Sequence, residues 1–220
     1  MATYDQIKAA LLKPQKNYAQ AKIHAQQIDE LLGFNCQPIE ADLIQNPVPT
    51  AERSQQLWIG LDLQSLQTPY SELVQIIEVV SASPKYLWID LGAGYGRMGI
   101  VLGFLNSEAN FKGYEYVQER VVESIRIFRK WNLKNAFMTH ADVADPNFEI
   151  EAAELYFIYD FGSRADIYHV LEKLRLIAKT KPIRVIARGR GIKNWLLIDF
   201  PWLSQMKAPI HFETFSLFQS

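Results

Sequence analysis

From residue 69 onward the chain alternates short runs of β-branched and aromatic residues with longer stretches of helical periodicity, which restricts it to βαβ units built around a parallel sheet. The runs are Tyr86–Asp90, Lys112–Tyr116, Ala136–His140, Leu155–Tyr159 and Ile183–Ala187. Between them, Val121, Ile125, Phe128 and Trp131 mark one helix face, and Ile167, Leu171, Leu174 and Ala178 mark another. The last stretch, Ile210 to Phe218, alternates bulky and polar residues with no crossover following it, so it is expected to be one antiparallel strand. The expected fold class is α/β, with a mostly parallel sheet.

The first 68 residues read differently. Of 15 glutamines, 11 lie in residues 1–67, and the strong β-type runs all lie beyond them, so a boundary is expected at residue 68. Thr3 with Gln6 forms a capping box for a short helix that Pro14 ends. Ala21, Ala25, Ile28 and Leu32 share one face of a second helix, and Gly33 sits where its terminating residue belongs. Residues 1–68 are therefore expected to form a helical N-terminal cap packed on residues 69–220.

Composition removes several function classes. With 23 basic and 24 acidic residues there is no global basic field, so nucleic-acid binding is not favoured. The apolar run Met98 to Leu105 is far short of the ~20 residues of a membrane span. A lone Cys36 and four histidines without ligand spacing give no metal site. The N-terminus lacks a secretion or import pattern, and a cytoplasmic location is expected.

The strongest chemical signal is Trp88-Ile89-Asp90-Leu91-Gly92-Ala93-Gly94-Tyr95-Gly96-Arg97, where an apolar strand runs into an apolar helix. Glycines at such a turn let the backbone approach a ligand that a Cβ would block, and the helix start offers unpaired N–H groups. Gly94-x-Gly96-x-x-Gly99 also matches a dinucleotide pattern, and Glu115, about 20 residues on, suits a ribose in either case. Asp90, two residues before the first glycine, and Asp142, after the third strand, tilt the choice toward a methyl donor.

These residues resemble the Rossmann-like class I S-adenosylmethionine-dependent methyltransferases over residues 69–220, most strongly from Tyr86 to Asp142. The resemblance implies that Asp90, Gly92, Ala93, Gly94 and Gly96 hold the methionine part of S-adenosyl-L-methionine. It assigns Glu115 to the ribose, Asp142 and Val143 to the adenine, and Tyr116 to the flank of the base. A narrower likeness, to the seven-strand protein-lysine methyltransferases, rests on Thr68-Pro69-Tyr70-Ser71-Glu72, Gly96-Arg97 and Gly113-Tyr114-Glu115. Tyr95 stands where that group carries an acid. Tyr70 either closes over the methionine end or simply opens the following helix.

Methyl transfer from a sulfonium is a direct displacement that needs alignment and dryness rather than a covalent residue. The acceptor side is expected after the fourth strand, at Tyr156-Phe157-Ile158-Tyr159-Asp160-Phe161-Gly162-Ser163. It carries neither the Asn/Asp-Pro-Pro-aromatic tetrapeptide of exocyclic base-amine enzymes nor a cysteine for thiolate chemistry. Tyr159 and Phe161, with Trp195 or Trp202, are candidates for an aromatic enclosure of an amine. Asp160 is a candidate to orient it or take its proton, or else a cap for the helix near Asp166. Arg184, Arg188, Arg190 and Lys193 read as a solvated rim. The expected function is methylation of a nitrogen nucleophile, foremost a lysine of a protein partner. Small-molecule or RNA methylation, a catalytically silent binding subunit and a nicotinamide-dependent oxidoreductase are the rivals.

Overall fold

The computed structural model describes residues 2–46, 62–80, 85–159 and 161–220, with Arg190 described by its backbone alone. The capping box forms as read: the Gln6 N–H donates to Thr3 Oγ1 (3.3 Å) and the Thr3 N–H to Gln6 Oε1 (2.8 Å), opening α1 (Tyr4–Leu11). Helix α2 (Tyr18–Leu32) ends at Gly33, whose φ of 82° lies in the left-handed region. Its buried face holds Ala21, Ala25, Ile28 and Leu32 together with His24 and Asp29. Two shorter helices, α3 (Cys36–Gln45) and α4 (Leu63–Leu66), follow among the described residues, and α5 (Tyr70–Val80) leads into the sheet.

The sheet is built from β1 (Leu87–Leu91), β2 (Asn110–Glu115), β3 (Ala136–His140), β4 (Leu155–Tyr159), β5 (Arg184–Arg188), β6 (Ile210–His211) and β7 (Phe215–Gln219), in the order 3-2-1-4-5-7-6. β1 to β5 are parallel, and β7 is antiparallel to both β5 and β6. The expected single C-terminal strand is thus corrected to a hairpin. Its alternation breaks at 212–214, where the Phe212 ring stacks on Phe215 at 4.5 Å and the Phe212 N–H donates to the Phe215 carbonyl (2.9 Å). The crossovers are α6 (Arg97–Leu105), α7 (Gln118–Lys130), α8 (Arg164–Ala178) and α9 (Arg190–Asp199). Residues 141–154, between β3 and β4, cross without a helix. Lys173 of α8 tethers them by donating to the carbonyls of Asp145 (2.7 Å) and Phe148 (2.6 Å).

Strand side chains alternate between two cores. Trp88, Phe111, Met138, Phe157 and Ile186 pack with α5, α6 and α7, and the cap residues Ile7, Leu11, Ala25, Ile28 and Leu32 join the same cluster. Ile89, Leu91, Tyr156, Ile158, Val185 and Ala187 pack with α8 and α9 on the other face. Counting in twos from Trp88, Phe111, Phe157 and Ile186 brings Asp90, Glu115, Tyr159 and Arg188 to the cap side, at the C-terminal ends of four strands. Charged side chains at that level are what a parallel sheet offers a ligand.

Gly113 of β2 makes that edge possible. A Cβ there would lie 2.5 Å from Met138 Sδ and 2.7 Å from Ala93 Cβ, inside the turn that follows β1. Gly113→Ala is expected to cost about 1–3 kcal/mol of stability through overpacking. Thermal melts of the variant check this, and an unchanged melting temperature would show that the turn gives way freely.

Candidate cofactor-binding site

The turn after β1 carries three left-handed glycines: Gly92 (φ 85°), Gly94 (φ 54°) and Gly96 (φ 67°). The Gly92 and Ala93 N–H groups both donate to the Tyr114 carbonyl at 3.0 and 2.9 Å, which pins the turn against β2. Gly92 and Gly96 also have packing reasons to lack a side chain, since a Cβ would come within 2.5 Å of Phe161 Cβ and 2.9 Å of Phe128 Cζ respectively. A cavity of about 290 Å³ lies over this turn, lined by Asp90, Gly92, Ala93, Gly94, Arg97, Glu115, Arg120, Tyr159 and Phe161 with Leu66 to Thr68 of the cap.

Two buried acids face it. Asp90 is 5% exposed, and among the described residues its carboxyl accepts no hydrogen bond and joins no ion pair. Burial, with the charge of Glu115 added, pushes it up to about 8, so at neutral pH it carries a proton. Glu115 is engaged on both oxygens: the Gly94 N–H donates to Oε2 (2.8 Å), the Val117 N–H to Oε1 (2.9 Å), and Arg120 Nη1 stands 3.5 Å from Oε1.

The Asp90 shift makes a pH prediction. An unfolded aspartate titrates at about 3.9, so between about 4 and 8 the folded chain binds a proton that the unfolded chain does not. Stability is therefore highest at the acid end of that window and falls as pH rises through it. Asp90→Asn should flatten the profile, matching the wild type near pH 4 and exceeding it at pH 9 by on the order of several kcal/mol. Melting curves of ligand-free protein from pH 4 to 9 check this. Parallel profiles for the two proteins would show that Asp90 titrates normally.

Around the cavity, three buried arginines meet three carboxylates. Arg97, the first residue of α6, pairs with Asp29 of α2 and also donates to Gln64 Oε1 (2.7 Å) and the Thr68 carbonyl (3.3 Å). Arg120 of α7 forms a fork on Glu40 of α3, with Nε to Oε1 at 2.8 Å and Nη2 to Oε2 at 3.0 Å. The Tyr95 hydroxyl donates to the same Glu40 Oε1 (2.7 Å). Arg188 of β5 forks on Glu72 of α5 at 2.7 and 3.2 Å, and its guanidinium lies 4.2 Å from the Tyr159 ring centre.

No family model matches the sequence. A stretch of 57 residues, 26% of the chain, is 39% identical to the tRNA (guanine-N(7)-)-methyltransferase of Mesomycoplasma hyopneumoniae strain 7448. It spans only 28% of that relative's length. Solved structures match more broadly. An RNA methyltransferase from Salinibacter ruber, in complex with S-adenosyl-L-homocysteine, superposes with a TM-score of 0.50 at 18% identity, covering 70% of this chain and 91% of that one. A SAM-dependent O-methyltransferase from Thermotoga maritima gives 0.53 at 14% identity, covering 70% and 65%. The C-terminal domain of precorrin-6Y C5,15-methyltransferase from Rhodobacter capsulatus gives 0.50 at 14%, covering 70% and 88%.

The fold is that of the class I methyltransferases. In this methyltransferase fold, Asp90, Gly92, Ala93, Gly94, Glu115 and Tyr159 come together around the cavity, and Gly96 closes its turn. Tyr70 does not line it. It opens α5, its ring is fully buried beneath Arg97, 4.9 Å from the guanidinium, and its hydroxyl donates to Asp29 of α2 (2.7 Å). Tyr116, Asp142 and Val143 lie past the cavity lining, at and after the ends of β2 and β3. Asp142 Oδ1 accepts from the Ala144 N–H (3.0 Å), and the Val143 side chain belongs to the opposite core.

Of the aromatic enclosure, Tyr159 and Phe161 line the cavity, with Arg188 over one face of Tyr159, while Trp195 and Trp202 are partly buried against the core on the far side of the sheet and do not join them. Asp160 lies outside the described residues. The N-cap of α8 is Ser163, which forms a capping box with Asp166. The expected solvated basic rim is corrected at Arg188, which is buried on Glu72; Arg184 is partly buried, with Nη1 donating to the Val80 carbonyl (2.9 Å). Among the described residues, no helix is long and apolar enough to cross a membrane.

Sequence reading missed Asp29, Glu40, Glu72 and Arg120. The signal was a charge inside an apolar stripe: Asp29 follows Ala25 by four and precedes Leu32 by three, and Arg120 shares a helix face with Ser124 and Ile127.

Proposed function

We propose that the chain is an S-adenosylmethionine-dependent methyltransferase whose cofactor lies across the Gly92–Gly96 turn. The supporting observation is a cavity walled by that left-handed backbone and by two buried carboxylates at the ends of neighbouring strands. The residues suit the group. Asp90, a buried acid with no partner among the described residues, would give up its proton to face the cationic methionine end as a carboxylate, and the Gly92, Ala93, Gly94 and Gly96 backbone leaves room beside it. Glu115 accepts from the ribose hydroxyls, and Tyr116, Asp142 and the Val143 backbone border the adenine. When bound, the sulfonium supplies an activated methyl group. Tyr159 and Phe161 wall the side from which the acceptor enters and exclude water from it.

The acceptor is a nitrogen nucleophile, foremost a protein lysine. Among the described residues both arginines lining the cavity are matched to carboxylates, and the formal charge of −1 gives no global basic field for a phosphate backbone. The short match to a guanine-N7 enzyme favours RNA as the second reading. Incubating the protein and labelled methyl donor with a lysate depleted of the protein tests both. Label that survives ribonuclease and maps to lysine supports the first reading; label removed by ribonuclease replaces it with the second. No transfer, with the donor bound, would leave a silent binding subunit.

A further inference from the structure

We infer that Glu40, on cap helix α3, is a positioning residue for the cofactor's ribose: it holds the Arg120 guanidinium off Glu115 and so keeps that carboxylate able to accept the ribose hydroxyls. This rests on the placement of the ribose at Glu115 proposed above.

A carboxylate offers about four acceptor sites. At Glu115 two are taken by short bonds from the Gly94 and Val117 N–H groups, while Arg120 Nη1 stays at 3.5 Å, the limit of a hydrogen bond. Arg120 stays there because its Nε and Nη2 fork onto Glu40 at 2.8 and 3.0 Å, the strong two-pronged arrangement of a guanidinium and a carboxylate. The Tyr95 hydroxyl fixes Glu40 from the other side at 2.7 Å. Tyr95 belongs to the glycine turn and Arg120 to α7, so one cap carboxylate ties both walls of the cavity while itself lying outside its lining.

The ion pair is buried, with side-chain exposures of 2% for Arg120 and 6% for Glu40. A buried cation deprived of one carboxylate must find another. Among the described residues the next carboxylate within reach is Glu115, already 3.5 Å from Arg120 Nη1, and a guanidinium fork there would take the lone pairs that the ribose hydroxyls need. Loss of charge at Glu40 therefore weakens binding at a distance, and loss of both charges relieves it.

The test is calorimetric titration of the full chain with S-adenosylhomocysteine. Glu40→Gln should weaken binding by about tenfold or more, the size of losing a charge-assisted contact, and Glu40→Gln/Arg120→Gln should return to within about threefold of wild type. Circular dichroism confirms folding. If Glu40→Gln does not fold, Glu40→Asp, which shortens the reach and breaks the fork, is read against the double variant in the same way. Binding by the single variant equal to wild type overturns the inference, and so does a double variant as weak as the single, which would make Glu40 merely structural. A wild type that binds no S-adenosylhomocysteine overturns instead the ribose placement beneath it.

Discussion

Replacing Gly94 by arginine should reduce affinity for S-adenosylmethionine at least about 100-fold while leaving the chain folded, because a long side chain then fills the space a ligand would occupy. Gly94 sits at φ 54° and lines the cavity, so any side chain there adopts the left-handed conformation and projects beside the turn. The strain is on the order of 1–2 kcal/mol, small against the stability of a domain of this size. The Gly94 N–H donates to Glu115, so the substitution also disturbs the group assigned to the ribose. Titration calorimetry gives the affinity and far-ultraviolet dichroism the fold. Normal binding by a folded Gly94→Arg would remove the turn from the site.

The second large effect is on stability. Arg97→Ala should destabilise the chain by about 3–5 kcal/mol, since it strands a buried carboxylate. Among the described residues Asp29 would keep the Tyr70 hydroxyl and the Gln64 amide as donors, and α2 would lose its bond to the first turn of α6. For a chain of this size the melting temperature would fall by roughly 6–20 °C. Asp29→Asn/Arg97→Gln, which removes both charges and keeps polar groups in place, should lose much less than the sum of the two single changes. Additive losses would mean that the pair contributes nothing as a pair.

Strand positions were legible in the sequence because β-type runs and turn residues agree from Tyr86 to Arg188, and each run lies within two residues of its strand. The C-terminal hairpin was not legible: bulky and polar residues alternate on both sides of Phe212 to Thr214, and a two-residue strand leaves no periodic trace. Asp90, Glu115 and the glycines were legible because they sit at the strand–helix junction where a ligand site is dictated by local geometry. The partners Asp29, Glu40 and Glu72 were not, because each reaches its arginine across 68, 80 and 116 residues of sequence, and no local pattern encodes such pairs. Tyr70, open to either role in the sequence, starts α5 with its ring buried, and the placement of the two tryptophans was not legible for the same reason. Their residue types suit a binding site, but their facing is decided by which side of the sheet the helix covers.

In the proposed complex a nucleoside sulfonium rests on bare backbone at the end of β1, with its ribose on Glu115. A crystal structure of the chain soaked with S-adenosylhomocysteine measures this directly. The ligand is expected across Gly92 to Gly96, its amino group toward Asp90 and both ribose hydroxyls on the Glu115 carboxylate. A ligand seated elsewhere, with Gly94 still closed onto Glu115 and the cavity untouched, would contradict that placement.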